Sequence, residues 1–332
     1  KDARDYSSAD FTYMFSECPN LKTVPAGLFD TFTKVTSPGY RNLFDSSGIE
    51  TIPAGLFAKS THVSTGFESL FENCPKLHTI EGSIFANNSG VTSVGYMFCN
   101  CPALKNIPED LFAPFGEAKL KFTATFAACS SLEEIPAELF ASNPKAKQFS
   151  ETFADCVSLK SIPEGLLDAC ADITTVKGMF HGCTALESIP EGLFANNMAI
   201  TSFEKTFAEC TKLKSIPEAL FSSIGTKTSA VTFSQCFAEC ASLESIPAGL
   251  FDTVRRINYI DGCFENCRSL KGESPYTIII AEDGTQTKVH LYERTKGTDF
   301  PNAPTSSSAH AGCFAGCIKL NDYKDMPDTW KN

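Results

Sequence analysis

The string TFAECTKLKSIPEALF, at residues 206–221, returns with small changes eleven times along this chain. Its anchor is F-x-x-C: Phe15/Cys18, Phe71/Cys74, Phe98/Cys101, Phe126/Cys129, Phe153/Cys156, Phe180/Cys183, Phe207/Cys210, Phe237/Cys240, Phe264/Cys267 and Phe314/Cys317. Phe44/Ser47 is a degenerate copy. Successive anchors are 27 residues apart in most cases, 28 to 30 in a few, and 50 once. A fixed period of this size marks a solenoid, in which one coil cannot bury its own apolar face and must stack on the next. The repeat overrides the two-domain expectation that 332 residues would otherwise carry, because a solenoid lengthens by adding coils.

With the anchor Phe counted as zero, apolar residues recur at −7, −4, 0, +3, +6, +9, +13 and +14; in one coil these are Ile200, Phe203, Phe207, Cys210, Leu213, Ile216, Leu220 and Phe221. The −4, 0, +3 spacing reads as a helical turn with one buried face. The L-x-x-I-P arc that follows, as in Leu213–Pro217, reads as a short strand ended by Pro. That Pro suits the first position of a second helical turn, where its missing N–H costs nothing. The expected fold is thus an α/β repeat solenoid of about eleven coils, each with short parallel strands and helical turns too short to stand alone. Phenylalanines at 0 and +14 are expected to stack as two aromatic spines.

The residue after the +6 Leu supports this register. It reads Lys22, Glu50, His78, Lys105, Glu133, Lys160, Glu187, Lys214, Glu244, Lys271, with the sign alternating unbroken from Lys105 onward. In a parallel stack each Lys would lie between two Glu, and a slip by one coil would set like charges against each other.

Ten of the fifteen cysteines occupy the +3 position, which implies a column of small buried thiols. An odd count cannot pair fully within one chain, and stacked side chains lack the converging Cβ vectors of a disulfide. The last three anchors carry C-x-x-x-C (Cys236/Cys240, Cys263/Cys267, Cys313/Cys317), where Met or Leu stands elsewhere. Apolar packing, disulfides between coils and thiolate coordination of zinc are all open there, although the spacing is not that of a zinc finger. Cys99 and Cys170 fall off the pattern.

The long last interval holds Tyr276-Thr-Ile-Ile-Ile280, an Asp283-Gly284 turn signal and Thr287-Lys-Val-His290-Leu-Tyr292, the signature of a β-hairpin. A Pro/Ser-rich stretch from Phe300 to Ser308 leads back to the repeat. The division expected is a solenoid over 1–270, a hairpin insertion over 271–309, and a last repeat with cap over 310–332, within one continuous domain. An insertion of this kind either caps the last coil or binds a partner. Tyr276, Ile278, Ile280, His290 and Tyr292 are the candidate contact residues, with Tyr276 and Tyr292 foremost as exposed aromatics that break the repeat. The N-terminal side shows no comparable cap and is expected to continue into further sequence or to fray.

A net charge of −11 argues against nucleic acid, which needs a basic stripe, and against anionic lipid. No apolar run approaches the roughly 20 residues of a membrane span. There is no G-x-S-x-G, H-E-x-x-H, phosphate-loop or dinucleotide motif, and His62, His78, His181, His290 and His310 fall at different coil positions. No catalytic residue, cofactor or metal is therefore assigned. A glycosidase carboxylate pair among the many solvent-facing acids, such as Glu109, Glu164, Glu191 and Glu218, has no sequence signal to single it out. Asn87-Asn-Ser89 is a weak glycosylation sequon.

Coils of the form M-F-x-x-C-x-x-L-x-x-I-P-x-x-L-F, from Phe11 to Leu320, resemble the BspA-like leucine-rich-repeat proteins of anaerobic gut and oral bacteria. Val289–Arg294 (VHLYER) and the closing MPDTW also look like the ends of Bacteroidales members. The resemblance implies a right-handed solenoid, exported and held at the cell surface by an N-terminal lipid anchor that this sequence does not contain, and adhesion to a host protein or surface glycan. The coils here are about four residues longer than the common form of that group. The functions expected are a non-catalytic adhesin, a structural spacer presenting other domains, and, behind both, a glycan hydrolase.

Overall fold

A computed structural model describes residues 9–36, 38–85, 88, 90–225, 229–294 and 307–332. The return stretch from Phe300 to Thr305 and sequon residues Asn87 and Ser89 lie outside the described residues. The chain is a repeat solenoid whose coils stack in register. The anchor rings form one unbroken column, Phe15, Phe44, Phe71, Phe98, Phe126, Phe153, Phe180, Phe207, Phe237, Phe264 and Phe314, closed by Trp330. Neighbouring phenylalanines sit 5.2–5.8 Å apart with planes within 12°. Such separations are those of offset stacking, which aromatic quadrupoles favour over a face-to-face sandwich.

The +14 column is less regular. Phe112 stacks on Phe140 and Phe221 on Phe251, but Leu167 interrupts the series. Rings at −4 wedge between these levels edge-on: Phe122 lies 4.8 Å from Phe140 at 61°, and Phe149 lies 4.9 Å from Phe140 at 84°. Each coil thereby buries its apolar side against two neighbours.

Regular strands are few. β1 (Thr51–Ile52) and β2 (Thr79–Ile80) pair in parallel on the L-x-x-I-P arc. In later coils that arc makes a single coil-to-coil bond at the charged position, such as Lys160 N–H to the Glu133 carbonyl. β3 (Val231–Thr232) and β4 (Ile257–Tyr259) pair on the opposite arc, where isolated parallel bridges join Lys121, Gln148, Thr175, Ser202 and Thr232. β5 (Tyr276–Ile280) and β6 (Gln286–His290) form the antiparallel hairpin. The one α-helix among the described residues is α1, Asp328–Lys331.

The expected helical turn at the anchor is therefore corrected. Among the described residues, every one of the seventeen non-glycine residues with positive φ lies at −2 or +2 of an anchor, as with Ala124 (51°) and Ala128 (58°) around Phe126. Gly178, Gly182, Gly262, Gly312 and Gly316 fill the remaining such positions. Within a coil, N–H groups at −1, +1 and +3 donate to carbonyls three residues back: Thr125 to Phe122, Ala127 to Ala124, Cys129 to Phe126. The first and third of these turns carry positive φ at their third residue, the type II pattern. Groups at −4, −2, 0 and +2 donate outward instead: Phe122, Ala124, Phe126 and Ala128 bond the carbonyls of Gln148, Ser150, Thr152 and Ala154. Three linked turns advance their side chains much as a helix would, hence the misleading spacing. Their N–H groups leave the coil at every second residue, which a helix does not allow.

Side chains complete this bonding at two corners. The +3 thiol donates to the anchor carbonyl of the preceding coil, as in Cys156 to Phe126 (3.3 Å), Cys183 to Phe153 (3.2 Å) and Cys210 to Phe180 (3.2 Å). At the far corner Asn143 donates to the Phe112 carbonyl and Asn197 to those of Leu167 and Cys170. Cys170 is not off-pattern: it takes the place of the Asn there, and its thiol reaches the carbonyls of Phe140 and Asn143.

A left-handed residue with a Cβ costs about 1–2 kcal/mol relative to its right-handed form. Ala128→Gly is accordingly expected to be neutral or to raise the unfolding free energy, read from urea denaturation, by up to about 1 kcal/mol. Ala127→Gly, next to it at ordinary φ, should lower stability by about 0.5–1 kcal/mol. Equal losses from both would contradict the turn geometry.

Candidate functional site: the hairpin and its base

The hairpin leaves the solenoid where the chain would otherwise begin its next I-P-x-x-L-F arc. Pro275 and Tyr276 follow Leu270 one residue later than Pro247 and Ala248 follow Leu243, and Tyr276 N–H bonds the Ala248 carbonyl. Leu291, fully buried, returns the chain to the core. Register places Tyr276, Ile278 and Ile280 opposite His290, Lys288 and Gln286, so these six side chains share one face.

That face divides in two. At the tip, Ile278 and Ile280 are 49% and 66% exposed. At the base, Tyr276 packs edge-on to His290, which stacks on Tyr292 at 5.2 Å, and Tyr292 meets Trp330 edge-on. Lys288 Nζ lies 4.3 Å over the Tyr276 ring and ion-pairs with Glu273. Tyr276 and Tyr292 are thus half-buried parts of the joint rather than freely exposed aromatics, and burial pushes the Tyr292 phenol up.

Two polar clusters hold the joint. Asp322 accepts from the Ser274 amide (3.1 Å) and hydroxyl (2.5 Å), and His290 Nδ1 lies 3.2 Å from the Asp322 carboxylate and 3.2 Å from Ser274 Oγ. A serine, a histidine and an aspartate meet here, but not as a hydrolase triad. One ring nitrogen faces both partners, whereas a catalytic His uses its two nitrogens separately. The serine hydroxyl donates directly to the carboxylate, so the base has no proton to take from it. Ser274 is 1% exposed. The cluster ties the hairpin to the last coil.

In the second cluster, buried Arg294 donates through Nη2 to Asp252 (3.0 Å) and Thr277 (2.6 Å), and Thr277 in turn bonds Asp252. Nε and Nη1 of Arg294 are buried without a partner among the described residues, and burial lowers the guanidinium pKa. Ser274, Asp322 and Arg294 lie where the repeat breaks, so no periodic signal marks them, and Asp252 sits at a regular repeat position after Phe251 that does not distinguish it.

On the solenoid face the charged residues after the +6 Leu lie on successive coils, their backbones bonded from Glu133 through Lys160, Glu187, Lys214 and Glu244 to Lys271. Ion pairs join Lys22 to Glu50, Lys160 to Glu133 and Lys214 to Glu187. Hydrogen bonds from these lysines hold the Glu133 and Glu187 carboxyls below their ordinary range. The column is a series of separate pairs, each Lys leaning to one neighbour. Lys105 and Lys271 make no ion pair with a described residue.

All fifteen cysteines are free thiols, and thirteen are buried. The −1 and +3 thiols of the last three anchors stand side by side, and burial raises the pKa of each. Among the described residues no group of three His, Cys, Asp or Glu side chains is placed to hold a metal ion, and no helix is long and apolar enough to cross a membrane.

No family model and no curated protein matches the chain. Solved structures similar to it include a leucine-rich repeat protein from Bacteroides ovatus, 19% identical over 93% of this chain and 86% of that one, with a TM-score of 0.33. A leucine-rich repeat protein from Eubacterium ventriosum is 16% identical over 78% of this chain and 62% of its own length, with a TM-score of 0.39. A leucine rich cell surface protein from Faecalibacterium prausnitzii is 18% identical over 75% and 82%, with a TM-score of 0.22. The solenoid assignment rests on this chain's own ring and hydrogen-bond columns.

Removing the exposed member of the Arg294–Asp252 ion pair tests the joint. Asp252→Ala leaves Arg294 charged, buried and short of partners, and should cost about 1–3 kcal/mol. Arg294→Met replaces the charge with an apolar chain of similar length and should cost less. Hydrogen exchange at the Tyr276 and Leu291 amides reads the difference locally. Thiol chemistry tests the columns. Iodoacetamide at pH 8 should label the native protein first at half-exposed Cys18. Cys99 should follow slowly, because burial, aided by Glu72, raises its pKa to about 11, and its rate should climb with pH toward that value. The thirteen buried thiols should react only on unfolding.

Proposed function

We propose that this chain is a non-catalytic binding protein of the bacterial cell surface, of the BspA-like leucine-rich-repeat kind, which engages a host protein or surface glycan through its C-terminal hairpin and the adjoining solenoid face. The observation that carries the reading is the pair Ile278 and Ile280. They stand on one face of a strand, exposed, with no part in the core, on a hairpin whose base is fixed by Asp322, Ser274 and Arg294. A rigid base beneath an apolar tip presents contact area without the ordering cost of a mobile loop. The rest of the solenoid surface offers paired charges and turn residues, with single exposed side chains such as Tyr13, Tyr96, Tyr259 and Ile318 set apart along it rather than two on one strand face. The Ser274–His290–Asp322 geometry speaks for a joint and against hydrolysis. Surface location is part of the proposal and is supported by the resemblance of the coils to BspA-like proteins.

The test is adhesion of the intact chain to immobilised extracellular-matrix proteins and gut glycans, compared with Ile278→Ser/Ile280→Ser. This double change spares the joint, whereas deletion of 274–308 would remove Ser274 and Arg294 as well. A loss of ten-fold or more in affinity at unchanged unfolding midpoint is expected. Full retention of binding would take the hairpin out of recognition, and no binding to any such surface would favour a spacer.

A further inference from the structure

The hairpin base and the last I-P arcs enclose an open cleft of about 480 Å³. Its apolar wall is Ile246 and the half-buried ring of Tyr276, and its polar groups are Glu218, Lys271, Glu273 and Lys288. Three features set its chemistry. Lys288 is already neutralised by Glu273 and lies on the Tyr276 ring, so it fixes the wall. Lys271, the last member of the charged column, is exposed and makes no ion pair with any described residue. Glu244, one coil back, accepts the Lys271 amide through its carbonyl, but its carboxylate makes no ion pair with Lys271. Beside Lys271, Gly272 (φ 78°) opens the floor, since a Cβ there would meet nothing within 4 Å.

We infer that this cleft binds an acidic saccharide, with the ligand carboxylate on Lys271, the sugar ring against Tyr276, and sugar hydroxyls donating to Glu218 and Glu273. The inference rests on the binding role proposed above and names a ligand class for it. Charge complementarity selects the occupant. One cation without an ion pair, beside the carboxylates of Glu218 and Glu273, suits a ligand that brings one acid group at a time into the cleft together with several hydroxyl donors. A run of acidic peptide residues would bring further carboxylates against Glu218 and Glu273, which repel them. A neutral sugar would leave Lys271 unused.

Calorimetric titration of the intact chain with trigalacturonate and with sialyllactose tests this, with lactose as neutral control and hexaglutamate as acidic peptide. The acidic saccharides should bind, and Lys271→Gln should weaken them about ten-fold, the loss of one charge-assisted contact. Tyr276→Leu should weaken them too, and Lys160→Gln, a paired residue of the same column, should change nothing. Unchanged affinity in Lys271→Gln, hexaglutamate binding as tightly as the saccharides, or no heat from either acidic saccharide would each overturn the inference. If matrix-protein adhesion still depends on Ile278 and Ile280 in that event, only the ligand class falls. If adhesion is indifferent to them while trigalacturonate binds, only the hairpin tip does.

Discussion

The structure depends on backbone hydrogen bonds that leave each anchor turn at every second residue. Around Phe126, four N–H groups pass to the next coil and three close turns within their own, so the amide at −4 and every amide from −2 to +3 has a partner. A buried backbone group without one would cost about 1–3 kcal/mol, and this arc lies directly over the aromatic core. The left-handed backbone at −2 and +2 is what points alternate amides outward. Its conformational cost is borne in every coil because the stack cannot be bonded otherwise.

The side chains follow from that arrangement. An anchor carbonyl that already accepts the +3 amide of its own coil has a second lone pair, and only a small donor fits between stacked phenylalanines. A thiol fills the space and donates weakly, which accounts for Cys at +3 and for Ser47 serving in the degenerate copy, where its hydroxyl meets the Cys74 thiol at 3.5 Å. The same logic places Asn143, Cys170 and Asn197 at the other corner. Phe15 to Phe314 then stack because the backbone has set their spacing.

The period, the aromatic columns, the hairpin and the course of the charged column were all legible in the residues, since each is a repetition or a local turn signal. The conformation of the anchor was not. Linked turns and a short helix bury the same −4, 0, +3 pattern, and Tyr13, Glu151 and Lys205 give no hint that they hold positive φ. The glycines at 178, 182, 262, 312 and 316 are the trace that points to it. The joint was illegible for a different reason: Ser274 and Asp322 are 48 residues apart and belong to no repeat. Tyr276 and Tyr292 were read as exposed because the sequence shows that they break the pattern, not what they pack against.

The coil-to-coil bonds also have a direction. In the coil of Phe180, Val176, Gly178, Phe180 and Gly182 donate toward the C-terminal neighbour, while Thr174 and Glu187 donate toward the N-terminal one. The two senses do not cancel, and peptide dipoles aligned along a stack add as they do along a helix. The polarity here is the reverse of a helix, with carbonyls foremost at the first coil and amide hydrogens foremost at the last. The backbone thus gives the stack a partial positive end beside the hairpin, where the amides of Gly312 and Phe314 are taken up by the carbonyls of Thr329 and Trp330.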